Sequence, residues 1–157
     1  MSLRRAIVAM LAVSLAVSAR ASGGGGGPPP GAQSAEIQKA EKLIQQKKWD
    51  EAIQVLTKAG EQDRTNADVE NWLGYAERNR GNLDAAFAHY GRALELDPRH
   101  RGAHEYVGEA YLMAGKPDKA KEHLTALAKL CHSKCEEYED LKEDIEKYEA
   151  SHKSATR

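Results

Sequence analysis

Nothing in the sequence alternates apolar and polar residues over the length of a strand, so a β-sheet has no support in it. Cysteine is scarce: Cys131 and Cys135 are the two in 157 residues. A closed zinc site needs four ligands, and no second cluster of cysteine and histidine supplies the rest. An excess of one charge sign is missing too. The formal net charge is −1 although 30% of residues are charged, which argues against nucleic acid or anionic membrane as the main partner. Catalytic signatures are absent: no G-x-S-x-G, no H-E-x-x-H and no phosphate loop. The run GGGGGPPPG lacks the Gly-Lys-Ser/Thr ending and any preceding strand. Acid pairs such as Glu136 and Glu137 fall on charged helix. The chain therefore reads as a protein without enzymatic activity or cofactor. A membrane-spanning helix needs roughly 20 apolar residues; the most apolar stretch, residues 6–19, falls short.

What is present begins with that stretch. MSLRR is a basic start, AIVAMLAVSLAVSA (6–19) is apolar, and Ala19-Arg20-Ala21 is a small-x-small cleavage signal. Residues 1–21 read as a secretory signal peptide. This predicts a periplasmic or secreted protein with no membrane insertion after cleavage. Residues 22–32, opening SGGGGGPPPG, bury nothing and read as a linker, flexible and then stiff. Removing Arg4, Arg5 and Arg20 with the signal leaves 20 basic against 24 acidic residues, a charge of −4.

From residue 33 the chain reads as paired helices that repeat every 34 residues. Ala52, Ala86 and Ala120 share one column; Asp50, Asp84 and Asp118 share another. So do Leu56, Tyr90 and Leu124, then Ala59, Ala93 and Leu127, then Ala40, Gly74 and Gly108. Three units follow: 33–66, 67–100 and 101–132. A glycine inside a helix costs about 1 kcal/mol relative to alanine, so Gly74 and Gly108 need a packing reason. Close approach of the first helix of a unit to the second supplies it, with Ala52, Ala86 and Ala120 facing them. Gly81 is placed to end a helix in a left-handed conformation and Asn82 to cap the next. Pro117 suits a first helical position, and Asp97-Pro98 stops the second unit.

These residues resemble the tetratricopeptide repeat family. Residues 67–100 carry the resemblance best, with Leu73-Gly74, Ala86, Tyr90, Ala93 and Pro98 at signature places. The third unit shows Val107-Gly108, Tyr111, Ala120 and Leu124; the first keeps Leu43, Ala52 and Leu56. The signature Trp is replaced by Glu70 and His104. The resemblance implies an all-α fold: three helical hairpins in a right-handed superhelix, whose first helices line a concave groove. Such stacks bury apolar faces that no single repeat buries alone. By the family's geometry the groove positions include Asn71, Tyr75, Arg78 and Asn79 in the second unit. They include Glu105, Glu109, Leu112 and Met113 in the third, and Ile37, Glu41, Ile44 and Gln45 in the first. This mixture suits a peptide or protein partner with both apolar and polar contacts. Some family members hold chaperone tails with a clamp of Lys, Asn and Arg. Here Ile37, Gln38, Glu41, Asn71, Gly102 and Tyr106 stand in those places, so that clamp is absent.

Residues 133–157 read as a capping helix and tail. Tyr138, Leu141, Ile145 and Tyr148 form one apolar stripe, and Glu143 with Lys147 is an i,i+4 pair. Ser133-x-x-Glu136 is a capping-box pattern that starts the helix at about Lys134. The same stripe also allows self-association as a short coiled coil. Cys131 and Cys135 flank the corner before this helix. In an oxidising compartment they form a disulfide that fixes the cap, worth roughly 2 kcal/mol for so small a ring. The alternative is a soft-metal site of Cys131, His132 and Cys135, with His123 near, in a metal-binding or metal-delivery protein. A redox role fits less well, because C-x-x-C and a strand–helix unit are both missing.

Overall fold

The computed structural model describes residues 35–154; the signal and linker segments assigned above lie outside them. Among the described residues every regular element is an α-helix: α1 (Ala35–Gln45), α2 (Trp49–Gln62), α3 (Ala67–Arg80), α4 (Leu83–Leu96), α5 (Arg101–Met113), α6 (Pro117–Cys131) and α7 (Glu136–Ser154). Consecutive helices pack as hairpins, and α7 packs on both α5 and α6.

Local chemistry sets the helix ends. Asn66 Oδ1 accepts from the Val69 N–H at 3.1 Å and starts α3. Gly81 ends it at φ 93°, a left-handed conformation that costs glycine little. Asn82 Oδ1 then accepts from the Ala85 N–H at 3.4 Å. His100 does the same for α5, its Nδ1 accepting from the Ala103 N–H at 3.0 Å. Pro117 opens α6, where a missing N–H costs no helical bond.

The repeating columns are the core. Ala52, Ala86 and Ala120 are buried, as are Leu56 and Tyr90; Leu124, their counterpart in the third unit, is half-buried, and Leu127 of the next column is buried in full. The small column behaves differently from the expectation. A Cβ at Gly74 would meet the Tyr90 ring of α4 at 2.6 Å, so an aromatic and not Ala86 occupies the space. A Cβ at Gly108 would meet both methyls of Leu141 at 2.6 and 2.7 Å. Gly108 is therefore small for the sake of α7, not of α6. The reason is that α7 lies beside α5 as the first helix of a further repeat would.

The apolar stripe of α7 is seated inside the molecule. Leu141 and Ile145 are buried against Leu112, Ala120 and Leu127, with Tyr138 and Tyr148 packed at the margin. That use withdraws the stripe from a coiled-coil dimer. The capping box is not formed. Ser133 has φ 57° and His132 φ 54°, so the corner runs through two left-handed residues and α7 starts at Glu136. The Cys135 carbonyl accepts its first bonds, from the N–H groups of Tyr138 and Glu139 at 3.2 and 3.3 Å.

Candidate functional site

The first helices of the hairpins touch in a row, α1 to α3, α3 to α5 and α5 to α7. They form one continuous face. Its middle is aromatic: the Tyr75 and Tyr106 rings lie 5.0 Å apart. Trp72 stands 5.6 Å from Tyr75 and 6.4 Å from Tyr106, and Trp49 of α2 is 6.5 Å from Tyr75. The Arg78 guanidinium carbon sits 5.2 Å from the Tyr75 centroid and 5.6 Å from that of Tyr106. A cation so placed is held by the ring faces. Its other partner is Glu109, an ion pair and hydrogen bond across α3 and α5. Arg78 is 7% exposed, so this pair is shielded and fixed in place.

Beyond Arg78 the face opens into a pocket of about 330 Å³ lined by Arg78, Glu109, Leu112, Met113, Asp144 and Tyr148. Met113 is 59% exposed, the one large hydrophobic side chain so exposed among the described residues. Four sequence-derived groove residues meet here: Arg78, Glu109, Leu112 and Met113. Tyr75 belongs to the neighbouring aromatic cluster. Asn71 is buried, its amide nitrogen 3.3 Å from where a Cβ of Gly102 would stand. It packs α3 on α5 and does not line the pocket. Asn79 is exposed and donates to its own helix, to the Tyr75 carbonyl at 2.9 Å. In the first unit Ile37 and Ile44 are core residues, buried with Ala40.

The acids carry the electrostatics. Burial pushes the Glu105 carboxyl up to about 8, with Glu109, Asp140 and Glu137 adding to the shift and Arg78 opposing it. Glu109 is also raised, by burial first, although the Arg78 pair pulls it down. Tyr106 is raised by burial first, with Glu105, Tyr75 and Glu109 adding to the shift and Arg78 opposing it. The face thus has a fixed cation and an acidic surround.

Sequence reasoning missed Trp72 as a groove residue, and Asp144 and Tyr148 of the cap; Tyr106 it named only as standing in a clamp place. Trp72 and Tyr106 are a 34-residue column, so the repeat already linked them. Asp144 and Tyr148 stand 35 residues after Glu109 and Met113; the extra residue hides them from a fixed offset.

At the corner, Cys131 and Cys135 are joined, their Cα atoms 5.8 Å apart. Cys135 is buried while His132 is exposed. His123 is not near them in function: its Nδ1 lies 2.9 Å from Nδ1 of His104, whose Nε2 meets the Pro98 carbonyl at 3.1 Å. With that Nε2–H donating, His104 Nδ1 accepts and His123 Nδ1–H donates. Burial and the neighbouring His104 push His123 down to about 4. Among the described residues no group of three His, Cys, Asp or Glu is placed to hold a metal ion.

Sequence models described as tetratricopeptide repeat match residues 37–99 and 78–145. No curated protein sequence matches the chain. Among solved structures, the first TPR of Spaghetti (RPAP3) bound to an HSP90 peptide aligns with TM-score 0.65 at 22% identity, over 74% of this chain and 89% of that one. The Yersinia enterocolitica type III secretion chaperone SycD, in complex with a peptide of the translocator YopD, gives 0.64 at 19%, over 78% and 92%. MamA from Desulfovibrio magneticus RS-1 gives 0.60 at 24%, over 68% and 60%. At such identities the likeness is one of fold. The stacked hairpins follow the period already written in the sequence, and the two matches run without a gap from residue 37 to residue 145, so the chain belongs to the tetratricopeptide repeat family.

Proposed function

We propose that the protein is an exported, non-enzymatic adaptor that seats a segment of a partner protein on the face formed by α1, α3, α5 and α7. One observation carries this reading: the pocket beside the Arg78–Glu109 pair. It combines an exposed Met113, a buried Leu112 and oriented charges on rigid helices. Such a mixture of one adaptable apolar anchor with few placed polar groups is what peptide grooves use. Two neighbours of the same fold hold peptides, which supports the reading. Export rests on residues 1–21, and a Cys131–Cys135 bond suits an oxidising compartment.

Proximity labelling in the native envelope tests it. The wild-type protein is compared with a Met113→Glu, Tyr148→Ala variant; Met113 is exposed at the pocket and Tyr148 packs at the margin of the α7 core, so a thermal melt accompanies the labelling. Recurrent protein neighbours that vanish in the variant, at unchanged helical content, are the expected result. Neighbours retained in full would rule out the pocket.

A further inference from the structure

The most unusual group on the face is Glu105. It is 9% exposed, yet its carboxyl has no hydrogen bond and no ion pair among the described residues. Buried carboxylates are ordinarily paired, because an isolated one is costly. The groups that bear on it come from both sides: Glu137 and Asp140 of α7, Arg78 of α3, and Glu109 one turn along α5. The cations nearby are already engaged. Arg78 is committed to Glu109. Arg101 reaches Glu137 at 3.4 Å, and Lys147 reaches Asp144 at 3.5 Å. Glu105 and Asp140 make no ion pair among the described residues. A second acceptor lacks a donor: Asn71 Oδ1 of α3 is buried without a partner, and the nitrogen of the same amide lies 3.3 Å from where a Cβ of Gly102, on the first turn of α5, would stand.

We propose that Glu105, with Asp140 beside it, is a subsite for the cationic side chain of a basic partner segment, an arginine seated between α5 and α7 next to an apolar residue on Leu112 and Met113. This rests on the adaptor reading and names the chemistry of its partner. A guanidinium suits the place better than a metal ion. No triad of metal ligands exists among the described residues, whereas several donors in a fixed plane match several acceptors that lack them. The edge of the site is aromatic, and Arg78 on Tyr75 and Tyr106 already shows that these rings accept a guanidinium. The charge runs opposite to that of the peptide SRMEEVD held by the first TPR of Spaghetti. An acidic tail of that kind would meet acid here.

The test uses the full chain and three labelled heptapeptides followed by fluorescence anisotropy: Gly-Leu-Arg-Leu-Leu-Arg-Gly, the same peptide with neutral citrulline for arginine, and the same with glutamate. The arginine peptide is expected to bind about tenfold tighter than the citrulline peptide. Glu105→Gln should remove that advantage. In parallel, carbon NMR of the Glu105 carboxyl is followed against pH with N-acetyl-arginine methylamide, at matched ionic strength. The free residue should lower the midpoint by about one unit. Equal binding of arginine and citrulline peptides overturns the subsite and leaves the adaptor standing. A midpoint that does not move, with no peptide bound, also overturns the subsite. The adaptor reading is then decided by the labelling experiment alone.

Discussion

Replacing Gly108 by alanine sets two known effects against each other. In a solvent-exposed helix the change stabilises by about 1 kcal/mol, through a more restricted unfolded chain. At Gly108 the added methyl lands 2.6 Å and 2.7 Å from the two methyls of Leu141, and 3.2 Å from its Cγ. Leu141 is 0% exposed, so its branch has nowhere to swing. Overpacking of this kind costs about 1–3 kcal/mol. The net is a loss of about 1 kcal/mol, or roughly 4 °C in Tm for a domain of this size. Gly91 is the control. It lies on the exposed side of α4 with nothing within 4 Å of a new Cβ, so Gly91→Ala should gain about 1 kcal/mol. A cycle with Leu141→Ala completes the argument. That change alone should cost about 2–5 kcal/mol. In its background the clash is gone, and Gly108→Ala should turn stabilising, giving a coupling of about 2 kcal/mol. Urea and thermal melts followed by circular dichroism read all the variants. A Gly108→Ala protein as much stabilised as Gly91→Ala, or a strictly additive cycle, would refute the assignment of this glycine to the cap.

Three further outcomes are expected. Glu105 holds its proton to about pH 8 in the fold and releases it near pH 4.3 when unfolded, so stability falls as pH rises through that window. Glu105→Gln should stabilise by about 2 kcal/mol at pH 9 and by little at pH 5, once solvent screening is allowed for; a pH-independent gain would contradict this. His123 titrates at about 4 in the fold against about 6.5 unfolded, so the unfolded chain takes up the proton first. The His123 contribution is fully present above about pH 6.5 and is lost towards pH 4, and His123→Gln should flatten that acid limb of a Tm–pH curve. Opening Cys131–Cys135 should cost roughly 2 kcal/mol and speed amide exchange at the start of α7, measured with and without reductant; unchanged exchange there would show that the bond does not hold the cap.

The helical stack was legible because burial repeats with the chain. Ala52, Ala86 and Ala120 are each 0% exposed, and a column of small residues is what tight helix contact requires. The stripe of α7 was legible for the same reason. The partner of Gly108 was not. It lies on a helix that has lost the repeat motif and stands one residue out of register, so a 34-residue comparison passes over it. The start of α7 was misjudged because a Ser-x-x-Glu pattern carries no knowledge of the corner before it. Two left-handed residues at His132 and Ser133 turn Ser133 away from the capping position. For the groove, the sequence named four residues that the structure brings together, Arg78, Glu109, Leu112 and Met113. It did not reveal that Asn71 would be spent on packing α3 to α5. Nor did it reveal that Arg78 would pair with Glu109 and leave Glu105 without an ion pair.

The socket at Gly108 has a consequence for how this array can change length. Each repeat in a stack offers its successor a docking face, and here the last such face is filled by a helix whose outer side is charged. Growth from the C-terminal end is disfavoured: the apolar stripe of α7 is spent on α5 and α6, so a copy added after α7 has no such stripe to seat on. Growth from inside remains open. A 34-residue unit inserted between α4 and α5 would present Gly108 and Leu141 to each other unchanged. The cap works as a stop codon written in packing, and lengthening the groove means editing before it.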